Sequence, residues 1–175
     1  GQSITNNGDC AVRLQNKSMT IRDSVGGGTL ASSGNWAVCL QNGTVTVESG
    51  TVWGRDGGIL VESNDWNPSS SRVNVLGGTI AAQNADMPAV NCAPFTQLAV
   101  SGGTFVGYIR MYLESDSYLQ ERGTPNGFAR SMLDMTGYDG DTIAVRVVGM
   151  PDEATPMPGI VFASNVAYSD GLEPA

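Results

Sequence analysis

A Gly-Thr pair followed by an apolar residue returns four times, at Gly28-Thr29-Leu30, Gly50-Thr51-Val52, Gly78-Thr79-Ile80 and Gly103-Thr104-Phe105, with separations of 22, 28 and 25 residues. A short apolar-x-apolar segment precedes each pair: Met19-Thr20-Ile21, Val45-Thr46-Val47, Val73-Asn74-Val75 and Leu98-Ala99-Val100. In the last three copies the second apolar residue stands four positions before the Thr. A spacing held this constant while the lengths around it vary marks one supersecondary unit stacked on itself, with the differences absorbed in surface loops.

A second block supports the same register. Ala11-Val12-Arg13-Leu14-Gln15-Asn16 returns as Ala37-Val38-Cys39-Leu40-Gln41-Asn42, and Ile59 to Asn64 reads as a degenerate third copy ending again in Asn. Period-two alternation with β-branched residues predicts strands, and Gly or Asn at fixed corners supplies the positive φ that a coil needs. Equivalent residues of successive coils then lie one strand spacing apart, about 4.8 Å. Two inward columns are expected, Ile21/Val47/Val75/Val100 and Leu30/Val52/Ile80/Phe105, with Thr20/Thr46/Asn74/Ala99 facing solvent. Arg22 and Glu48 fall side by side in another outward column and predict a surface ion pair, worth under about 1 kcal/mol.

The stretches Val73-Asn74-Val75-Leu76-Gly77-Gly78-Thr79-Ile80 and Val100-Ser101-Gly102-Gly103-Thr104-Phe105-Val106-Gly107, with Tyr118-Leu119-Gln120-Glu121-Arg122-Gly123, resemble the right-handed parallel β-helix family that includes pectate lyase-like folds. More narrowly, they are similar to β-helical segments of secreted surface proteins of Gram-positive gut bacteria. The resemblance spans roughly residues 10 to 128, and its motifs specify the coil rather than a ligand, so it implies a fold and not an activity. The expectation is an all-β, right-handed parallel β-helix of about four to five coils over residues 1–115, with residues 116–175 forming a C-terminal cap of the same domain. Strand candidates in that second part run from Thr142 to Val148 and from Gly159 to Val166, and a helical turn is expected at 116–122.

At 175 residues, 41% hydrophobic and 15% charged, the chain is long enough for one domain with a real core. Its 17 acids against 9 bases, including the single Lys17, exclude a phosphate-binding surface and hence nucleic acid as a partner. Most of the acidic excess lies after residue 113. No signal peptide and no apolar run of membrane-spanning length is present, so membrane insertion is not expected and the chain reads as a processed piece of a larger protein.

Of the three cysteines, Cys39 and Cys92 each stand twelve residues before the Thr of a Gly-Thr pair, at Thr51 and Thr104. That places them in one column two coils apart, beyond disulfide reach, so both are expected free while the pairing of Cys10 stays open. The chain has no His, which removes Ser-His-Asp chemistry, imidazole acid-base catalysis and His-ligated zinc. Carboxylate catalysis requires two converging acids, and no such pair is visible in the columns. No catalytic residue is assigned. Asp139-Gly140-Asp141 and Asn64-Asp65-Trp66-Asn67 offer oxygen ligands without the spacing of a calcium loop, so turn chemistry is favoured over a cofactor. Asn16-Lys17-Ser18 and Asn42-Gly43-Thr44 match a glycosylation pattern, but their place at the repeated turn predicts a stacked Asn ladder.

The repeat is interrupted once to add polar and aromatic residues, at Asn64 to Ser71. Trp53 falls in a column otherwise made of Ala31, Ala81 and Val106, and alternation from Val52 turns it outward. Trp53 and Trp66, with Arg55, Asp65 and Arg72, therefore form the candidate ligand site, suited to stacking on a neutral sugar ring with polar edge contacts. The competing expectation is a loop folded over Trp53 to hide it. The functional expectation is an extracellular or cell-surface structural or adhesive module that binds a glycan or a host surface. A polysaccharide-active lyase or glycosidase, or an inactive remnant of one, is the alternative.

Overall fold

The computed structural model describes residues 2–63, 69–114, 122–124, 127–148, 160–161 and 166–169. The chain winds through three strands per coil. The first coil is β1 (Ser3–Asn6), β2 (Cys10–Gln15) and β3 (Ser18–Ile21), and the second is β4 (Thr29–Ser32), β5 (Trp36–Gln41) and β6 (Thr44–Val47). Next come β7 (Thr51–Gly54), β8 (Gly57–Val61) and β9 (Ser71–Val75), then β10 (Thr79–Ala81), β11 (Pro88–Cys92) and β12 (Thr96–Val100). The fifth coil is β13 (Thr104–Val106), β14 (Tyr108–Tyr112) and β15 (Met132–Asp134), followed by β16 (Ile143–Val148), β17 (Ile160–Val161) and β18 (Val166–Ser169). They make three sheets: A, in the order β1-β4-β7-β10-β13; B, in the order β2-β5-β8-β11-β14-β16-β18; and C, in the order β3-β6-β9-β12-β15-β17. Every pairing is parallel, so the fold is a parallel β-helix.

Register follows the expected columns residue for residue. Ile21 pairs with Val47, Val47 with Val75 and Val75 with Val100 in sheet C. Leu30, Val52, Ile80 and Phe105 do the same in sheet A. Val47, Val52, Val75 and Ile80 are fully buried, and each such side chain contributes about 1.5–3 kcal/mol of transfer free energy. Gly50, Gly78 and Gly103, at φ of 85°, 79° and 96°, turn the chain from sheet C to sheet A in the left-handed region, where a side chain is penalised. At the opposite turn Asn16 and Asn42 both sit at φ 55°, and the Asn42 amide donates to Asn16 Oδ1 at 2.6 Å, forming the first rung of the expected ladder. The expected Arg22–Glu48 ion pair forms at 2.6 Å.

Two register expectations fail by one residue. Ile59 pairs with Val38 and Val61 with Leu40, so Ser63, not Asn64, occupies the position after β8 that Asn42 holds after β5. Cys92 is not a column mate of Cys39. Asn91 pairs with Leu60, which pairs with Cys39, whereas Cys92 pairs with Met111 in the core column that also contains Leu40 and Val61. The reason is the turn at Ala93 to Phe95. From Leu40 to Val45 the chain takes five steps, but from Cys92 to the equivalent Leu98 it takes six. A shift of one residue moves a side chain to the other face.

Cys39 is not free either. It is bridged to Cys10, with the two Cα atoms 6.0 Å apart, inside the range a disulfide tolerates. Register alone conceals this bridge, because it pairs Cys10 with Trp36. Cys92 is the free thiol, fully buried, and burial pushes its pKa up to about 12.

After β14 the stretch expected to be a cap continues the solenoid: β15 joins sheet C and β16 joins sheet B as parallel strands. No strand of sheet A lies between them. Instead Tyr138, in the connection, packs edge-on against Phe105 of β13, with ring centroids 6.2 Å apart. The helical turn expected at 116–122 lies, but for Arg122, outside the described residues.

Three outcomes test this architecture. Val75→Asp should abolish the cooperative far-UV circular dichroism melt, since an unpaired buried charge costs several kcal/mol. Thiol titration under non-reducing conditions should find no reactive cysteine in the native protein and one per chain after unfolding. Cys39→Ser should lower stability by about 3–4 kcal/mol on the chain-entropy account of a loop near 30 residues.

Candidate functional site

The solenoid presents three outward faces, and they differ sharply in chemistry. Outward positions of sheet C carry small polar residues, Thr20, Thr46, Asn74 and Asp134 among them. Sheet A offers Ala31, Trp53 and Ala81. Sheet B has the widest range of side chains: the column Arg13/Cys39/Leu60/Asn91/Arg110/Arg146 runs beside Gln41, Glu62 and Tyr112.

The residues singled out from sequence are only partly brought together. Trp53 points outward from β7 and is half-buried, and Arg55 follows it at the corner into sheet B, where it bonds Asp56 at 3.0 Å and Asn35 at 2.8 Å. Arg72 lies on β9 of sheet C, a different face, with its guanidinium on Gln97 Oε1 at 3.2 Å. Asp65 and Trp66 lie outside the described residues; the flanking Ser63 and Ser69 sit at the corner between sheets B and C, away from Trp53. Ser69 and Ser71 hold that corner by accepting the Asn42 backbone N–H at 3.1 and 3.0 Å.

A cleft of about 540 Å³ opens where the outer face of sheet B meets this corner, lined by Gln41, Leu60, Val61, Glu62, Ser63, Asn91, Ala93, Pro94 and Tyr112. Successive coils build it: Gln41 ends β5, Glu62 follows β8, Asn91 is on β11 and Tyr112 ends β14. The Ala93-Pro94 wall is shaped by a strained residue, since Phe95 adopts φ 64°, which is costly for a bulky side chain. A buried carboxylate holds it there. Glu114 Oε1 accepts the Phe95 N–H at 3.2 Å and the Ser131 N–H at 2.5 Å, with Ser131 Oγ taking the Phe95 N–H as well at 2.9 Å. Sequence reasoning passed over Glu114, Asn91 and Tyr112; their one signal is that they follow the shifted register of the longer turn.

Polar groups in the cleft are unevenly satisfied. The Glu62 carboxylate is bound by the guanidinium of Arg13, which also reaches Asp9 at 2.6 Å. Asn91 Oδ1 is buried and has no hydrogen-bond partner among the described residues. Farther along the face, Tyr108 is buried beneath two guanidiniums: Arg146 stands 4.0 Å from its ring centroid and Arg110 5.3 Å. Stacking on the ring offsets the repulsion of two like charges in register.

Among the described residues that line the cleft, Glu62 is the one carboxylate. Among the described residues, one group of three metal-donor side chains lies within mutual reach, Asp9, Cys10 and Cys39, and the disulfide consumes two of its donors. Asp139 and Asp141 belong to an exposed turn in which the Tyr138 hydroxyl donates to the Asp141 carbonyl at 2.9 Å. No family model, curated protein or solved structure matches the chain.

Asp9 also shapes the acid response. Its carboxyl is held below the usual carboxylate range first by the Asn35 amide and then by Arg13. A depressed carboxyl stabilises the fold above its unfolded pKa, near 4, and that contribution is lost as pH falls through the folded value. Asp9→Asn should therefore lower the urea midpoint at pH 7, and the gap from wild type should close below about pH 4.

Proposed function

We propose that this chain is an extracellular β-helical module with a structural or adhesive role, and that it takes a neutral glycan weakly in the cleft on the outer face of sheet B. The observation that carries the reading is the composition of that cleft: the aromatic Tyr112 beside two amides, Gln41 and Asn91. An aromatic platform with a few fixed donors and acceptors is how sugar rings are held, apolar face stacked and hydroxyls bonded at the edge. The disulfide supports an oxidising compartment, and the resemblance to secreted surface proteins of Gram-positive gut bacteria agrees with it.

The lyase or glycosidase reading has less behind it. Among the described residues of the cleft Glu62 is the one acid, it is ion-paired with Arg13, and either glycosidase geometry needs two. Single-site affinity should be low, so adhesion would draw on several copies in a longer assembly.

Binding to a panel of immobilised neutral oligosaccharides tests the proposal. Tyr112→Ala and Asn91→Ala should each weaken binding about tenfold or more, from the loss of a stacking contact and of a hydrogen bond to the ligand, while Trp53→Ala binds as wild type. Unchanged binding by both cleft variants would overturn the assignment. Steady release of products from a polysaccharide, abolished by Glu62→Gln, would favour the enzyme instead.

A further inference from the structure

The outer face of sheet B continues past the cleft, and its next two outward positions are both arginine. Arg110 of β14 pairs with Asn91 of the cleft wall on one side and with Arg146 of β16 on the other. Tyr112, two residues beyond Arg110 on the same strand, alternates to the same face and also lines the cleft. Arg110 thus stands one strand spacing, about 4.8 Å, from Asn91 and two residues, about 6.7 Å, from Tyr112, with Arg146 one strand farther out.

The pair differs from the other arginines in its surroundings. Arg13, Arg22, Arg55 and Arg130 each face a carboxylate. Among the described residues Arg146 faces none; its guanidinium lies over the Tyr108 ring, 4.0 Å from the centroid. The outward neighbours of the pair on β11, β14 and β16 are Asn91, Tyr108, Tyr112, Ala144 and Val148, and no acid is among them. In a chain of 17 acids and 9 bases, a shortage of acids does not account for this.

The two side chains are also held in place. Tyr108 is buried beneath them, and its hydroxyl accepts an Arg110 N–H. Both arginines are half-buried. A head already fixed on a ring loses less freedom on binding than a free surface side chain. A guanidinium presents a planar fork of N–H donors that fits two oxygens of a carboxylate or a sulfate. Arg110 has a further contact of its own, so the donors on offer are those of Arg146.

Overall charge limits the ligand. With acids in excess over the chain and Glu62 in the cleft, a polymer charged at every residue is repelled, whereas a single anionic substituent meets the arginines locally.

We infer that Arg146, with Arg110 beside it, is an oxyanion subsite that holds one carboxylate or sulfate ester substituent of a glycan whose neutral rings lie in the cleft. The subsite rests on the cleft reading for the placing of those rings.

The probes are immobilised neutral oligosaccharides, each printed beside a form bearing one sulfate ester and a form bearing one hexuronic acid. At least one charged form should bind about tenfold more tightly than its neutral parent, with the gain shrinking as salt rises. Which form gains assigns the oxyanion. Arg146→Gln should return that form to the affinity of its parent while the parent binds as to wild type. Arg146→Lys, which keeps the charge and loses the fork, should recover only part of the gain. Parent binding and an unchanged melting transition show that both variants fold. Tyr112→Ala, by contrast, should weaken parent and charged form alike. Charged forms that bind no better than their parents, or a gain that survives Arg146→Gln, would overturn the subsite and leave the cleft standing. A charged form that binds through Arg146 while no neutral parent binds would uphold the subsite and overturn the cleft reading. If nothing on the array binds, both fall.

Discussion

Everything in this molecule depends on one repeated hydrogen-bonded contact, a parallel strand laid in register about 4.8 Å from the last. Parallel in-register stacking puts like on like, so the interior becomes columns of Val, Ile and Leu and the corners become columns of Gly or Asn. It also dictates how a site can be made. Gln41, Glu62, Asn91 and Tyr112 are each about 20 to 30 residues apart in sequence, yet successive coils bring them to one cleft. No loop has to reach across the molecule to assemble it.

Stacking of this kind made the core readable from sequence. Because Val47, Val75 and Val100 follow the same spacing to their Gly corners, counting residues recovered their pairing directly. Counting failed where a turn changed length. One additional residue at Ala93 to Phe95 was enough to move Cys92 out of the column of Cys39 into that of Leu40 and Val61, and to leave Asn91 in the column of Cys39. Nothing periodic announces such an insertion, since the strands on either side keep their alternation. The Cys10–Cys39 bridge was hidden for a related reason: it crosses the ladder diagonally, and column reasoning compares only residues in register.

The cleft was less readable from sequence than the core, because aromatic content alone does not say which face a residue occupies. Trp53 stands out in a column of small residues, yet it lies on sheet A, whereas Arg72 projects from sheet C and is occupied by Gln97. Tyr112 attracts no notice in sequence, but its neighbours across the ladder give it a cleft. Its wall depends on Glu114, a buried carboxylate whose backbone partners, Phe95 and Ser131, lie 19 and 17 residues from it in sequence. Position on the solenoid, more than residue type, decides which aromatic has partners.

A solenoid contacts only its nearest neighbours, so its faces and its ends obey different rules. A face is complete once the coils beneath it have formed, and residues there are free to serve a ligand. Among the described strands, the coil of β1 to β3 has one neighbouring coil where the coils within the stack have two. The burial of β2, half-buried at best, beside the nearly complete burial of β5, is the direct reading of that difference in two strands of almost the same sequence. Along sheet A the stacking stops at Phe105, where the Tyr138 ring of the next connection packs edge-on in place of a further strand, so a side chain from a loop can stand in for the contact that a strand makes elsewhere in the stack.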